Sequence, residues 1–152
     1  MKKTFQIVIA LSILSVFVAA EIVKPVKWTF SSNPSKPTVG QTIDLVFTGK
    51  IDKGWYMYSS ELKVDGPMPT EVEFTSNGSF QKVGKLVPVN PKEKFDEIWD
   101  GKVNYFVKEA KFIQKVKILK AGAVVEGKIT CQTCTEKDGR CVPNKDKFSF
   151  KF

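Results

Sequence analysis

Apolar residues alternate with polar ones along most of this chain, and this two-residue period restricts the fold more than any other feature. In the segment TIDLVF, the side chains of Ile43, Leu45 and Phe47 fall on one face of an extended chain. The closing segment KFSFKF carries phenylalanine at every second position. Side chains of a β-strand point alternately to its two faces, whereas those of a helix repeat every 3.6 residues. Both segments are therefore predicted to be half-buried strands.

Further segments with β-branched and aromatic residues are also predicted strands. They cover residues 26–30, 55–58, 72–75, 80–87, 103–107, 112–119 and 124–134. Between them lie turn-forming stretches, which are SNPSKP, DKG, DGPMP, SNG, NPKEK and AGA. No amphipathic pattern is long enough for more than one or two turns of helix. Short strands at this spacing, separated by turn signals, predict an all-β sandwich.

The first 20 residues have the pattern of a secretory signal peptide. Lys2 and Lys3 give a short positive region, an apolar run covers residues 5–18, and small residues end at Ala20. The run is shorter than the roughly 20 apolar residues that a membrane span needs, although a retained anchor is the alternative. We therefore expect cleavage near Ala20 and a mature chain that begins near Glu21.

The remaining residues, 21–152, suit one domain with a core of its own. The formal net charge of the whole chain is +8 and falls to +6 once Lys2 and Lys3 are removed. The basic residues are scattered singly among apolar ones, so we interpret them as a solvated surface and expect no nucleic-acid partner. The chain contains no histidine, and therefore lacks the usual general base and the commonest zinc ligand.

All three cysteines lie close together near the end of the chain. Along the predicted strand 124–134, Cys131 shares a face with Val125 and Ile129, whereas Cys134 lies on the opposite face. We therefore expect Cys131 to point inward as a small apolar residue and Cys134 to point outward. A Cys131–Cys134 bond is disfavoured, because three extended residues span roughly 10 Å and a disulfide needs Cα atoms about 4.4–6.8 Å apart.

Cys134 and Cys141 fit each other better. If residues 136–139 form a four-residue hairpin loop around Asp138-Gly139, Thr135 faces Arg140 and Cys134 faces Cys141. Most such pairs in exported proteins are structural, so spacing alone favours a structural disulfide over a redox-active one. A zinc site is a weaker alternative, since three cysteines without histidine would need an acidic fourth ligand. We predict no metal and no cofactor.

Three stretches match one known domain in their order and spacing. They are IDKGWYMYS, KFDEIWDGKVNYF and GKITCQTCTEKDGRCVPNKDKFSF. The first is similar to a Gly-aromatic-Tyr-x-Tyr strand and the second to an acidic-aromatic cap loop followed by a strand. The third is similar to a Gln-x-Cys strand, a short loop and Cys-x-Pro before a final strand. Over nearly all of its mature length, the chain resembles the amino-terminal periplasmic domain of the thiol:disulfide interchange protein DsbD.

This resemblance implies an immunoglobulin-like β-sandwich that relays reducing equivalents in the periplasm by thiol–disulfide exchange. By position it makes Cys134 and Cys141 the redox pair, with Cys141 forming the bond to partners, and places Tyr56 and Tyr58 beside the pair. It also implies a cap loop, whose residues here are Asp96, Glu97, Ile98 and Trp99. The sequence departs from the best-known members at Cys131, where an aromatic residue is usual, and in a loop between the cysteines that is one residue longer.

The resemblance also implies partners. They are thioredoxin-like periplasmic acceptors of the disulfide-isomerase or cytochrome-maturation type, and a membrane or thioredoxin-like electron donor. We expect the domain to act as a monomer. The alternative is an exported, non-catalytic immunoglobulin-like binding module whose disulfide is structural. A redox state of the pair that follows the reductant supply of the cell would distinguish the two.

Overall fold

The computed structural model describes residues 23–152, and all of the regular secondary structure in this range is β-strand. The predicted signal peptide, its cleavage near Ala20 and the predicted start near Glu21 lie outside the described residues. From residue 23 onward, no helix is long and apolar enough to cross a membrane. The ten strands are β1 Val26–Asn33, β2 Thr42–Ile51, β3 Trp55–Tyr58, β4 Glu71–Phe74, β5 Phe80–Pro88, β6 Lys92–Asp96, β7 Gly101–Val107, β8 Glu109–Ile118, β9 Val124–Thr135 and β10 Cys141–Lys151.

The strands form two antiparallel sheets that pack face to face. One sheet has four strands in the order β1-β2-β8-β5. The other has six strands, with β10-β9-β3-β7-β6 in sequence across the sheet and β4 paired with β9. On the edge of β9 that faces away from β10, β4 pairs with residues 127–130 and β3 pairs with residues 133–135. This arrangement confirms the predicted immunoglobulin-like β-sandwich.

The core lies between the sheets and follows the predicted two-residue period. Ile43, Leu45 and Phe47 on β2 are buried, as are Phe148 and Phe150 on β10. The rings of Phe47 and Phe148 meet edge to face with centroids 5.1 Å apart, the geometry that aromatic quadrupoles favour. Each fully buried side chain of this size contributes about 1.5–3 kcal/mol to folding. The contact between Phe47 and Phe148 joins β2 of one sheet to β10 of the other, and it therefore helps to fix how the two sheets face each other.

The sequence-based prediction was wrong at two strands. Residues 92–94, predicted as part of a turn, belong to β6, which pairs only with β7 at the edge of its sheet. Most β6 side chains face solvent, so no apolar alternation marks the strand. The last strand begins at Cys141, earlier than expected, and includes Pro143. Proline is tolerated there because β10 is an edge strand.

Cys131 lies fully buried in the core between the sheets. It pairs across the ladder with Asn144 of β10, and its thiol forms no disulfide. Desolvation by burial raises the pKa of Cys131 to about 12, and the Asp146 carboxylate adds to this effect. Cys131 is therefore a protonated packing residue, as its position on the strand predicted.

We predict that Cys131 makes folding stability fall with pH in alkaline solution. The folded protein keeps a proton that the unfolded chain releases near pH 9.0, so the contribution is complete below pH 9.0 and is lost towards pH 12. The slope is at most about 1.4 kcal/mol per pH unit. The measurement is urea denaturation at pH 8 and pH 10 with and without Cys131→Ala, with Cys134 and Cys141 replaced by alanine to prevent disulfide exchange. An identical pH dependence with and without Cys131→Ala would contradict the prediction.

Candidate functional site

The β9–β10 hairpin brings Cys134 and Cys141 together. The backbone N–H of Thr135 donates to the carbonyl of Arg140 at 2.9 Å, and that of Gly139 donates to Thr135 at 3.2 Å. Gly139 has a φ of 67°, which glycine adopts readily. Cys134 is therefore the direct neighbour of Cys141 across the ladder. The predicted hairpin register is confirmed.

Cys134 and Cys141 form a disulfide that closes a short loop. Their Cα atoms lie 4.0 Å apart and their sequence separation is 7. Because Thr135 and Arg140 carry the ladder hydrogen bond, the cysteines form the adjacent non-hydrogen-bonded pair, in which side chains approach most closely. The predicted pairing is confirmed, and Cys131 stays outside it.

The two cysteines of the disulfide differ in their exposure to solvent. Cys134 is 0% exposed, whereas Cys141, at the start of edge strand β10, is partly exposed. Cys134 lies on the face opposite Cys131, as predicted, but on that outer face it is covered by other side chains. A second apolar cluster, separate from the main core, covers this part of the outer face. Its buried members are Tyr56, Tyr58, Val103 and Cys134, and Leu62, Val64, Trp99, Tyr105, Val107 and Cys141 pack against them.

Tyr56 and Tyr58 lie beside Cys134 because β3 pairs with β9. Tyr56 is the ladder partner of Cys134, and the two tyrosine rings meet at right angles with centroids 5.5 Å apart. Alternation along β3 sends Met57 into the main core, and Trp55 packs against that core as well. The tyrosines therefore belong to the cluster over the disulfide.

The Tyr58 hydroxyl is the centre of a buried polar network. It donates to Asp96 Oδ2 at 3.0 Å and accepts a hydrogen bond from Trp99 Nε1 at 2.9 Å. The other oxygen of Asp96 accepts from the backbone N–H of Ile98 at 3.1 Å. Burial raises the pKa of Tyr58, and the hydrogen bond with Tyr56 adds to this. The phenol therefore stays protonated and joins β3 to residues 96–99.

Residues 96–99, which we call the cap segment, connect β6 to β7. Asp96 ends β6 and is buried, Trp99 is partly buried, and Glu97 is exposed. Ile98 is 60% exposed, and its Cδ1 lies 3.5 Å from where a Cβ on Gly139 would be. The cap segment thus extends from the tyrosine cluster to the tip of the cysteine hairpin.

Lys94 is a neighbour of the site that sequence reasoning missed. Its Nζ lies 3.7 Å from the ring centroid of Tyr56 and 5.2 Å from that of Tyr105. The same ammonium lies 3.4 Å from Asp96 Oδ2. It lines a cavity of about 400 Å³ between the cap segment and the hairpin. The KEK run was interpreted as part of a turn. Side-chain alternation would have placed Lys94 beside the tyrosines only if this run had been recognised as an edge strand.

The hairpin loop is ordered by Asp138. Its carboxylate accepts from the Thr135 hydroxyl and from the backbone N–H of Arg140, and these contacts lower the pKa of Asp138. The cationic side chains of Lys137, Arg140 and Lys145, which neighbour the pair in sequence, are exposed. Their charges act on the pair only through solvent and are correspondingly screened. Within residues 23–152, no group of three or more His, Cys, Asp or Glu side chains is arranged to hold a metal ion.

Comparison with known families identifies the domain. The family described as "Thiol:disulfide interchange protein DsbD, N-terminal" matches residues 20–152. The chain belongs to this family. The match covers the whole sandwich, the cap segment and both cysteines of the disulfide. The comparison with curated proteins gives no significant match.

Two solved structures share the fold of this DsbD N-terminal domain. One is the complex between the DsbD N-terminal and the PilB N-terminal domains from Neisseria meningitidis, with a TM-score of 0.53 and 16% identity. That alignment covers 88% of this chain and 94% of the other. The second is the N-terminal periplasmic domain of ScsB from Proteus mirabilis, with a TM-score of 0.57, 15% identity, and coverage of 82% and 44% respectively. At these identities the likeness concerns the fold alone.

We predict that Tyr58→Phe destabilises the folded protein by about 1–3 kcal/mol, because Trp99 Nε1 loses its acceptor and Asp96 loses a donor. Tyr56→Phe is the matched control. Within the described residues its hydroxyl contacts only that of Tyr58, at the long distance of 3.5 Å, so its loss has a smaller effect. Urea denaturation of the oxidised proteins measures the difference. Equal losses in the two variants would contradict the central role of Tyr58.

Proposed function

We propose that this chain is an exported domain, formed by residues 21–152, that relays reducing equivalents through Cys134 and Cys141 to periplasmic acceptor proteins. Its membership of the DsbD N-terminal family supports this function. The observation that carries the proposal is the unequal access of the two cysteines, since Cys134 is fully buried and Cys141 is partly exposed. Exchange needs one sulfur that a partner can reach and one that resolves the mixed disulfide.

In the proposed reaction, the Cys141 thiolate of the reduced domain attacks a sulfur of the disulfide of an acceptor. A mixed disulfide forms, and the second sulfur of the acceptor leaves as a thiolate that takes up a proton. Cys134 then loses its proton and attacks the Cys141 sulfur. The acceptor leaves as a dithiol and the Cys134–Cys141 disulfide is restored. Two electrons have moved to the acceptor, and a donor dithiol returns them by the reverse steps.

The position of each sulfur in the fold suits these roles. Cys141 begins edge strand β10, next to the exposed hairpin loop, so another protein can approach it from the side. Cys134 lies inside β9, where the ladder fixes it next to Cys141. A resolving cysteine held 4.0 Å away, Cα to Cα, needs no search to find the mixed disulfide.

Proteins are the expected partners. The Neisseria relative was solved as a complex with the PilB N-terminal domain. For this chain we propose thioredoxin-like periplasmic acceptors and a membrane or thioredoxin-like donor, with no cofactor. The family is periplasmic, and export of this chain would follow from cleavage of the signal peptide near Ala20. The same site would serve donor and acceptors in turn.

The cap segment is proposed to shield the pair between encounters. Asp96 anchors it through Tyr58, Ile98 reaches towards Gly139, and Trp99 packs on the cluster that contains Cys134. A reduced cysteine pair in an oxidising compartment requires such protection, because small oxidants would otherwise oxidise its thiols. Glu97 is exposed at the surface that a partner would meet.

We predict that Cys134→Ser accumulates mixed disulfides through Cys141, because the resolving attack is lost. Cys141→Ser accumulates few or none. Each variant is expressed in the periplasm, quenched with acid, alkylated and compared on non-reducing gels. The double variant Cys134→Ser/Cys141→Ser controls for bonds made by Cys131. Equal trapping by both single variants would refute the assignment of Cys141, and no trapping by either would favour a binding module with a structural disulfide.

We also predict that Ile98→Ala speeds reaction of the reduced pair with a small disulfide reagent by about two- to fivefold, because the side chain next to Gly139 no longer limits access. Val39→Ala is the matched control, since Val39 is similarly exposed, at 57%, but lies between β1 and β2 of the other sheet. The rates are measured by stopped flow at one pH. Equal rates for Ile98→Ala and wild type would place the shield elsewhere, and loss of folding would assign Ile98 a packing role.

A further inference from the structure

The loop of residues 59–70, which connects β3 to β4, interlocks with the cap segment. Trp99 of the cap segment lies over Gly66 of the loop, and Val64 of the loop lies over Gly101, the first residue of β7. We propose that this β3–β4 loop holds the cap segment in its closed position, with Gly66 and Gly101 as positioning residues that set access to the disulfide. The inference rests on the proposed function, because it concerns how that redox pair is shielded.

The first contact lies between Gly66 and the indole of Trp99. A Cβ on Gly66 would lie 2.2 Å from Trp99 Cε3 and 2.4 Å from Cζ3, far inside the contact distance of two carbon atoms. Gly66 also has a φ of 124°, which side-chain-bearing residues rarely adopt. Only glycine therefore lets the loop backbone lie directly against this ring.

The second contact is its reciprocal. Gly101 begins β7, two residues after Trp99, and a Cβ there would lie 2.3 Å from Val64 Cγ1. The Val64 side chain thus occupies the space that a side chain at position 101 would need. The two glycines let Trp99 pack against the loop and Val64 pack against the start of β7, so the loop and the β6–β7 connection cannot shift separately without breaking a close contact.

The β3–β4 loop is itself fixed to the strands that carry the site. The backbone N–H of Met68 donates to Gln132 Oε1 at 2.6 Å, and Gln132 lies on β9 two residues before Cys134. The Thr70 hydroxyl donates to the carbonyl of Tyr58 at 2.7 Å. These two hydrogen bonds attach the loop, next to Trp99, to β9 and β3.

Trp99 is held from two directions. Its Nε1 donates to the Tyr58 hydroxyl, and its six-membered ring lies against Gly66. Exposed Ile98 has no comparable restraint from the β3–β4 loop among the contacts described. Opening of the cap segment at Trp99 therefore requires the loop to move as well, and the loop determines how often small molecules reach the disulfide. Gly66 and Gly101 have no side chains, so they act on the reaction only through Trp99 and Val64.

A size exchange between Gly101 and Val64 tests the proposal. Gly101→Ala introduces a clash, and Val64→Ala leaves a gap, so we expect each to raise the rate at which dithiothreitol reduces the disulfide by about fivefold or more. In the double variant the new methyl group would lie 3.6 Å from the Val64 Cβ position, an ordinary contact. Its rate should return to within about twofold of wild type. The indole N–H resonance of Trp99 should shift in both single variants and return in the double variant.

Gly66→Ala is compared with Gly54→Ala. Both glycines have positive φ, but the space around Gly54 is open to 4 Å. Gly54→Ala therefore also places a Cβ at a positive φ, 80° against 124° at Gly66, but without the clash, and we expect a faster reduction only in Gly66→Ala. Urea denaturation of each variant checks that reduction does not proceed through global unfolding.

Three results would overturn the proposal. They are unchanged reduction rates in both Gly101→Ala and Val64→Ala, a double variant as fast as either single variant, and equal rates for Gly66→Ala and Gly54→Ala. None of these outcomes affects the trapping of partners by Cys134→Ser, because reduction by dithiothreitol involves no protein partner. Conversely, if Cys134→Ser trapped no partner, the relay function would be refuted. The reduction rates would still test whether the β3–β4 loop holds the cap segment.

Discussion

The antiparallel register between β9 and β10 is the constraint on which the site depends. It places Cys134 opposite Cys141 in a non-hydrogen-bonded pair and, by alternation, sends Cys131 to the other face of the sheet. A slip of one residue would move every side chain of β10 to the opposite face. Phe148 and Phe150 would then leave the core, so the burial of these rings protects the geometry of a site at the far end of the same strand.

Part of the outer face of the six-stranded sheet is covered. The β3–β4 loop and the β6–β7 connection bring an apolar cover over Cys134 and supply polar groups within it. Tyr58 satisfies Asp96 and Trp99 at once, so the cover contains a buried network rather than apolar contacts alone. Such a network specifies one arrangement of the cover, because each displaced member leaves a buried polar group without a partner.

The parts of the structure that depend on local rules were predictable from the sequence. Face alternation separated Cys131 from Cys134, and the Asp138-Gly139 turn fixed the pairing with Cys141. The burial of Cys134, the place of Lys94 and the contact of Trp99 with Gly66 were not predictable. They arise between segments distant in sequence, as Tyr58 and Asp96, 38 residues apart, illustrate. β6 was missed because a solvated edge strand lacks apolar alternation.

The sequence separation of the two cysteines also determines how much the folding stability differs between the oxidised and the reduced domain. In the chain-entropy view, a disulfide stabilises a fold by the loop it closes, with about 3 kcal/mol for 15 residues and about 4.7 kcal/mol for 100. The loop here is shorter than either, with a separation of 7. By the same relation the disulfide makes the oxidised fold more stable than the reduced one by about 2.5 kcal/mol. Since native domains have total stabilities of about 5–15 kcal/mol, the reduced sandwich keeps its fold, and the domain can alternate between two redox states without unfolding.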